Sequence, residues 1–283
     1  MKLKQVRISP EIKLYYSIKE PDLDLVKKAS LIFTGSIEPF KTKHRHQVYL
    51  LEHNSEVYYA KKFTPPTIEQ ELSYHFRNSK AVNCLNISNK LRATGFKSVE
   101  TVFALNCQRK WKHESILVTK KNSGIDLKEF LKSEINNSDK DEIMNRLIST
   151  LGAFYKSGFS HYDPVLTNFF IDPNQKPYEI VFLDFDSIIY KKWVSPKRTF
   201  YFFSKFFYLF FAFLVSQNDE AQCSREKVLF YLEIFLKTYN PAIKIDEAYK
   251  YLYHGTAKLL KRKDKLSIKN KKLLSKIIDL NAC

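Results

Sequence analysis

The sequence changes character once, and that change limits the folds open to it. Before Lys120 the apolar residues come in short, β-rich runs; after Lys120-Lys121-Asn122-Ser123-Gly124 they come at helical spacings. Residues 45–63, RHQVYLLEHNSEVYYAKKF, read as a hairpin: Val48 to Leu51, a turn at His53-Asn54-Ser55, then Val57-Tyr58-Tyr59-Ala60. Thr67 with Gln70 three residues on is a capping-box pattern, so a helix should start there, with Ile68, Leu72 and Phe76 on one face. A further helix over 80–93 should stop at Gly95, and 98–105 and 114–119 read as strands. Past Gly124, the spacing of Ile143, Leu147, Leu151 and Phe154 predicts an amphipathic helix ended by Gly158. Two brief strands, 168–171 and 179–183, then lead into helices. The expected fold class is α+β: a small antiparallel sheet with one or two helices over 1–119, a hinge at 120–126 and a mostly helical part over 127–283.

A chain of 283 residues is long enough for about two such units. Its 6 glycines exclude Gly-rich repeats, and they mean that a phosphate-binding loop here is not built from several glycines. The net charge of +17 attracts anions: nucleic acid, anionic lipid or a phosphorylated substrate. Part of that excess is an ordinary Lys-rich solvated surface. Of the 47 basic residues 38 are Lys and 9 are Arg, and base-edge readout leans on the bidentate Arg fork, so no nucleic-acid partner is expected. Cys84, Cys107, Cys223 and Cys283 show neither metal spacing nor a CxxC pair and read as free thiols of a reducing compartment. The first twenty residues hold no unbroken apolar stretch of the signal-peptide kind. The run 200–215, FYFFSKFFYLFFAFLV, is short of the roughly 20 apolar residues of a spanning helix and carries Ser204 and Lys205. It is expected to be a buried helix, with a membrane-facing role as the alternative. The tail 256–279 is basic, and Leu259, Leu266, Leu273 and Leu280 keep one face apolar; it suits docking on its own lobe or lying on an anionic membrane.

The chemistry concentrates in residues 160–188, SHYDPVLTNFFIDPNQKPYEIVFLDFDSI. Phosphoryl transfer needs a carboxylate to orient the acceptor hydroxyl, plus oxygen ligands for the magnesium that bridges the phosphates. His161-x-Asp163-x-x-x-x-Asn168 supplies a base and an amide at the loop spacing used by kinases. Sixteen residues after Asn168, Asp184 ends the apolar strand Ile180-Val181-Phe182-Leu183 and is followed by Phe185, where kinases place a metal-binding Asp. The bland reading, in which Asp163-Pro164 starts a turn and Asp184 and Asp186 cap a loop, leaves Asn168 and the second motif unexplained. Upstream, a nucleotide site needs a strand lysine. Lys61 is the expected one and Lys62 the alternative, since alternation puts them on opposite faces. Residues 115–119, Val118 among them, read as the strand into the hinge, whose backbone would bind adenine; Asp126 then opens a helix with Leu127 and Phe130 inward.

In these pieces the chain resembles the lipopolysaccharide kinase (Kdo/WaaP) family, bacterial relatives of the protein kinases. The matching stretches are VYYAKKF (57–63), FRNSKA (76–81), LRATGFKSVETVFA (91–104), LVTKKNSGIDLKEFL (117–131), GFSHYDPVLTNFFID (158–172) and VFLDFDSI (181–188). The resemblance implies a bilobal protein-kinase-like fold. It implies ATP- and Mg²⁺-dependent phosphorylation of a Kdo or heptose sugar in the lipopolysaccharide inner core. The partner would be that glycolipid, met at the anionic cytoplasmic face of the bacterial inner membrane by a peripheral protein. By motif position Asp163 is the catalytic base, Asn168 and Asp184 hold magnesium and nucleotide, and Lys61 holds the phosphates.

The chain departs from the pattern in three places. Only Gly35 precedes the first hairpin, where Lys41, Lys43 and Arg45 could supply charge instead. No helix Glu for Lys61 is evident, with Glu69 or Glu71 as substitutes, and Asp186 stands where protein kinases carry Gly. An Asp-x-Asp end leans away from a protein substrate. Two other functions stay open: an aminoglycoside- or choline-type small-molecule phosphotransferase, and a catalytically inactive kinase-like scaffold.

Overall fold

A computed structural model describes residues 3–43, 46–65, 67, 69, 77–110, 112–217 and 224–262. The chain forms two compact units, Met1–Ser123 with Phe182–Asp186, and Gly124–Val181 with Ser187–Cys283.

The first unit is built on a seven-stranded antiparallel sheet. Its strands are β1 (Lys4–Arg7), β2 (Ile12–Tyr16), β3 (Lys41–Lys43), β4 (His46–His53), β5 (Glu56–Phe63), β6 (Thr101–Arg109) and β7 (Lys112–Lys120), in the order β1-β2-β6-β7-β5-β4-β3. The β4–β5 hairpin turns at Asn54 and Ser55, both left-handed at φ 50° and 60°. A two-residue turn of that hand matches the right-handed twist of the strands it joins. Its register sets Val48 opposite Lys61 and Tyr49 opposite Ala60. Leu14, Tyr49, Leu51, Phe103, Leu105 and Ile116 form the core on one sheet face, covered by Leu25 and Val26 of α1 (Leu23–Ser30). Strands β1 and β2 and helix α1 were not anticipated: β1 is exposed along its length and carries no apolar alternation. β6 runs past the expected boundary at 105 because β2 extends its ladder, pairing Ile12 with Cys107.

Helix α2 (Lys80–Ala93) starts where the Ser79 hydroxyl accepts the Val82 N–H and ends before Gly95, left-handed at φ 86°. The expected helix from Thr67 lies outside the described residues except at Thr67 and Glu69. The segment 182–186 is stitched into this unit: Phe182 N–H donates to Lys97 C=O at 3.0 Å and Val99 N–H to Phe182 C=O at 3.2 Å.

The second unit is mostly helical. It contains β8 (Ile125–Asp126), α3 (Leu127–Lys132), α4 (Asn137–Lys156), β9 (Phe159–His161), β10 (Phe169–Ile171), β12 (Ile188–Tyr190; Val181–Phe182 being β11), α5 (Pro196–Ser216), α6 (Arg225–Tyr239) and α7 (Ile245–Arg262). Asp126 caps α3 by accepting the Glu129 N–H at 2.9 Å, and Leu127 and Phe130 are fully buried, as expected. β8 pairs with β10 and β9 with β12. The run 200–215 lies in α5, where Phe200, Phe203, Phe206, Phe207 and Phe211 are at most 2% exposed. Each such ring contributes about 1.5–3 kcal/mol of burial, so these five rings are core, as expected of a buried helix. No helix among the described residues is long and apolar enough to cross a membrane. α5 meets α7 where Gly255 leaves room for the Ser204 hydroxyl, and α4 meets α6 where Gly152 leaves room for Thr238. The basic tail beyond Arg262 lies outside the described residues.

Candidate active site

Lys61 points from β5 to the segment 182–186. Its ammonium donates to Asp184 Oδ1 at 2.6 Å and to Asp186 Oδ1 at 3.0 Å. Lys62, one residue on and on the opposite face, pairs with Glu114 at 2.8 Å, so Lys61 is the lysine that meets Asp184. Among the described residues the carboxylate partners of Lys61 are the strand-end Asp pair; Glu71 lies outside the described residues. Burial by itself would lower the Lys61 ammonium, but the two carboxylates outweigh it and hold it above its ordinary value. Asp186, 11% exposed, is pushed the other way: burial first, then its hydrogen bond with Asp184, raise it to about 6 against the pull of Lys61. Lys80, from the FRNSKA stretch, donates to Asp186 C=O at 2.7 Å, and His46 Nε2 stands 3.6 Å from Asp186 Oδ2. Asp184 itself is left-handed, φ 53°. That conformation costs a non-Gly residue about 1 kcal/mol or more, and strain of this kind gathers at functional sites.

Beside this cluster lies a cavity of about 140 Å³ lined by Val48, Tyr59, Leu117, Thr119, Lys61 and Asp184, among others. Val118, whose strand was expected to bind adenine through its backbone, keeps its side chain out of that lining. It is fully buried in β7, paired to Ala60 and Phe103 on its two sides. Period-two alternation turns its neighbours Leu117 and Thr119 toward the cavity instead.

The motif 161–168 is held within the second unit. His161 is fully buried at the end of β9, opposite Ile188, and its Nδ1 accepts the Asp163 N–H at 3.3 Å. Asn168 Nδ2 donates to Asp163 C=O at 2.8 Å, closing the loop on itself. The amide nitrogen is thereby committed, and Oδ1 is the donor left for a ligand. The Asp163 carboxylate is 53% exposed, and its Oδ1 accepts from Lys205 Nζ at 3.0 Å; the same ammonium donates to Tyr162 C=O. The contact of Lys205 with this loop was not expected from the sequence, although its place in an otherwise apolar run was visible. Arg198, two turns earlier on α5, donates to the Tyr162 hydroxyl at 2.5 Å.

Carboxylate oxygens are donors that Mg²⁺ prefers. Burial first, and then the neighbouring Asp184, raise Asp186, and a divalent cation beside the two carboxylates would relieve that. The Asp184 and Asp186 pair of the first unit fits a magnesium ion. Among the described residues Cys84 and Cys107 are buried thiols, and no cluster of His, Cys, Asp and Glu has the make-up of a preformed metal cage; Cys223 and Cys283 lie outside the described residues.

Comparison with known proteins places this geometry in context. The model of the lipopolysaccharide kinase (Kdo/WaaP) family matches residues 40–197. No curated protein matches the sequence. Among solved structures, WaaP in complex with acyl carrier protein is similar in fold at a TM-score of 0.64 and 12% identity, over 92% of this chain and 98% of that one. The α+β fold, with its β-sheet region and helical C-terminal part, is therefore the kinase-like fold of WaaP.

Proposed function

Because the chain belongs to the lipopolysaccharide kinase (Kdo/WaaP) family, and so to the kinases, we propose that it transfers the γ-phosphoryl group of ATP to a hydroxyl of a Kdo or heptose sugar in the lipopolysaccharide inner core. The observation that carries this reading is the Lys61 ammonium 2.6 Å from Asp184, two residues 123 apart in sequence and each at its motif position.

In the reaction the acceptor oxygen forms a bond to the γ-phosphorus, the bond from that phosphorus to the β,γ-bridging oxygen breaks, and ADP leaves. Asp163 orients the acceptor hydroxyl and takes its proton. Its exposed carboxylate is free on one side for that role, while Lys205 fixes the other side. Lys61 holds the α- and β-phosphates, and its carboxylate partners keep the ammonium pointed at the site. Asp184 and Asp186 would hold magnesium, with Asn168 assigned to it by motif position only; the ion would supply charge neutralisation for the transferring phosphate. The cavity lined by Leu117 and Thr119 suits the adenine side of the nucleotide. The acceptor is a glycolipid of an anionic leaflet, so the protein works peripherally at that surface.

The test is phosphate transfer from ATP and Mg²⁺ to purified core lipopolysaccharide, with choline and aminoglycosides as competing acceptors. Asp163→Asn should lower kcat by at least about 100-fold while nucleotide still binds. Transfer only to the soluble amines, or wild-type turnover in the variant, would remove the proposal. Repeating the assay with acyl carrier protein present asks whether the partner named for WaaP bears on this chain.

A further inference from the structure

The N-terminal turns of α5 do two things at once. On one side they reach the Asp163 loop, through Arg198 to the Tyr162 hydroxyl and through Lys205 to Asp163. On the other they form, with α7, a cavity of about 650 Å³ lined by Lys197, Arg198, Tyr201, Tyr251, His254 and Lys258 together with Ser195 and Gly255. The volume is in the range of sites for small ligands. Its lining holds three permanent cations and no carboxylate. The comparably sized hollow in the first unit is different: its cations and carboxylates, such as Lys120 with Glu56, neutralise each other.

The cations are spread over the walls. Lys197 and Arg198 come from the first turn of α5, and Lys258 comes from α7, its Nζ 5.5 Å from the centre of the Tyr201 ring. The Tyr251 ring stacks on Phe200, which is fully buried, and its hydroxyl bonds to Glu247, so that wall is rigid. A hollow lined by one sign of charge focuses the field and concentrates anions in it. Half-buried tyrosine rings beside them offer flat apolar area for the C–H face of a sugar. Arg198 belongs both to this cavity and to the Tyr162 contact, one residue from Asp163.

We infer that the cavity between α5 and α7 is an acceptor subsite. It binds an anionic sugar unit of the glycan, carrying phosphate or carboxylate, next to the sugar whose hydroxyl is presented to Asp163. The inference rests on the kinase reading above and deepens it.

The experiment is calorimetric titration of deacylated core oligosaccharide into the nucleotide-free protein, beside the transfer assay. Wild type should bind, and the double variant Lys197→Ala/Lys258→Ala should bind at least about tenfold more weakly, as expected for the loss of two charged contacts. Lys258→Arg in place of Lys258→Ala should restore much of the loss. The double variant should bind ATP as wild type does, which shows that it is folded. Phosphatase-treated and carboxyl-reduced oligosaccharides separate the two sources of charge: the one that loses affinity names the group bound. Equal affinity of wild type and double variant, no loss with either neutralised glycan, or no binding to wild type at all would overturn the subsite. Failure of wild type to transfer phosphate while the binding difference persists would instead overturn the kinase reading alone.

Discussion

At Lys205 a charge sits in the middle of the apolar run 200–215, 19% exposed and 3.0 Å from the Asp163 carboxylate. Burying an ammonium stem among phenylalanines is favourable only because the head finds two oxygens, Asp163 Oδ1 and Tyr162 C=O. Under the proposed mechanism, in which Asp163 is the base, the side chain would act as a positioning residue for it. Lys205→Met keeps the packed stem and removes the charge; kcat should fall about 10- to 100-fold with the KM for ATP unchanged, and Lys205→Arg should recover part of it. A thermal melt close to wild type would separate this from mere destabilisation. Loss of ATP affinity with kcat intact would place Lys205 elsewhere in the mechanism. Asp186 gives a second prediction at this scale. Its carboxyl is raised to about 6 by burial and by Asp184. Between about pH 4 and 6 the folded chain therefore holds a proton that the unfolded chain has released, and stability from this group is present below that window and falls as pH rises through it. Melts in a chelator across pH 4.5–7 should show wild type losing up to about 1.4 kcal/mol per pH unit relative to Asp186→Asn. Parallel curves would mean that Lys61 cancels the effect of burial.

Helices in the second unit approach one another closely because glycines stand at their contacts. A Cβ at Gly152 in α4 would lie 2.0 Å from Thr238 Oγ1 and 2.7 Å from Phe235 C=O on α6, and the latter is backbone that cannot swing away. Gly152→Ala should therefore destabilise by about 1–3 kcal/mol, measured by urea unfolding, although alanine is the better helix former. Unchanged or raised stability would show that the two helices can part at no cost. The amphipathic helix containing Gly152 was legible from Ile143, Leu147, Leu151 and Phe154, all fully buried. So was the hairpin carrying Lys61, because both rest on local periodicity and turn chemistry. What was not legible depended on distant partners. β1 has no apolar alternation to announce it and exists through pairing with β2, while the five-residue alternation of β2, with Leu14 and Tyr16 buried, is short and completed by pairing with β6. The aspartate partners of Lys61 were each recognised, but their pairing with it spans more than 120 residues and leaves no spacing signal.

For the molecule as a whole, the +17 charge and the buried position of the α5 phenylalanines bear on the proposed membrane contact. If the α5 phenylalanines stay in the core, the proposed attraction to a leaflet would come from lysines, each contributing about 1 kcal/mol near an anionic surface. Such attraction is screened over about 10 Å at 0.1 M salt and about 3 Å at 1 M, whereas inserted apolar area is indifferent to salt. Co-sedimentation with vesicles of phosphatidylglycerol and phosphatidylcholine should thus show binding at about 0.05 M salt that is lost by about 0.5 M. Pure phosphatidylcholine vesicles should retain nothing at either salt. Binding to the neutral vesicles that survives high salt would mean that an apolar segment enters the bilayer, and the burial of α5 would then not describe the protein at a membrane. Salt-sensitive binding would tie the net charge to the acceptor's location. It would also predict that turnover on vesicle-borne glycolipid, but not on the deacylated oligosaccharide, rises with the anionic lipid content of the vesicle.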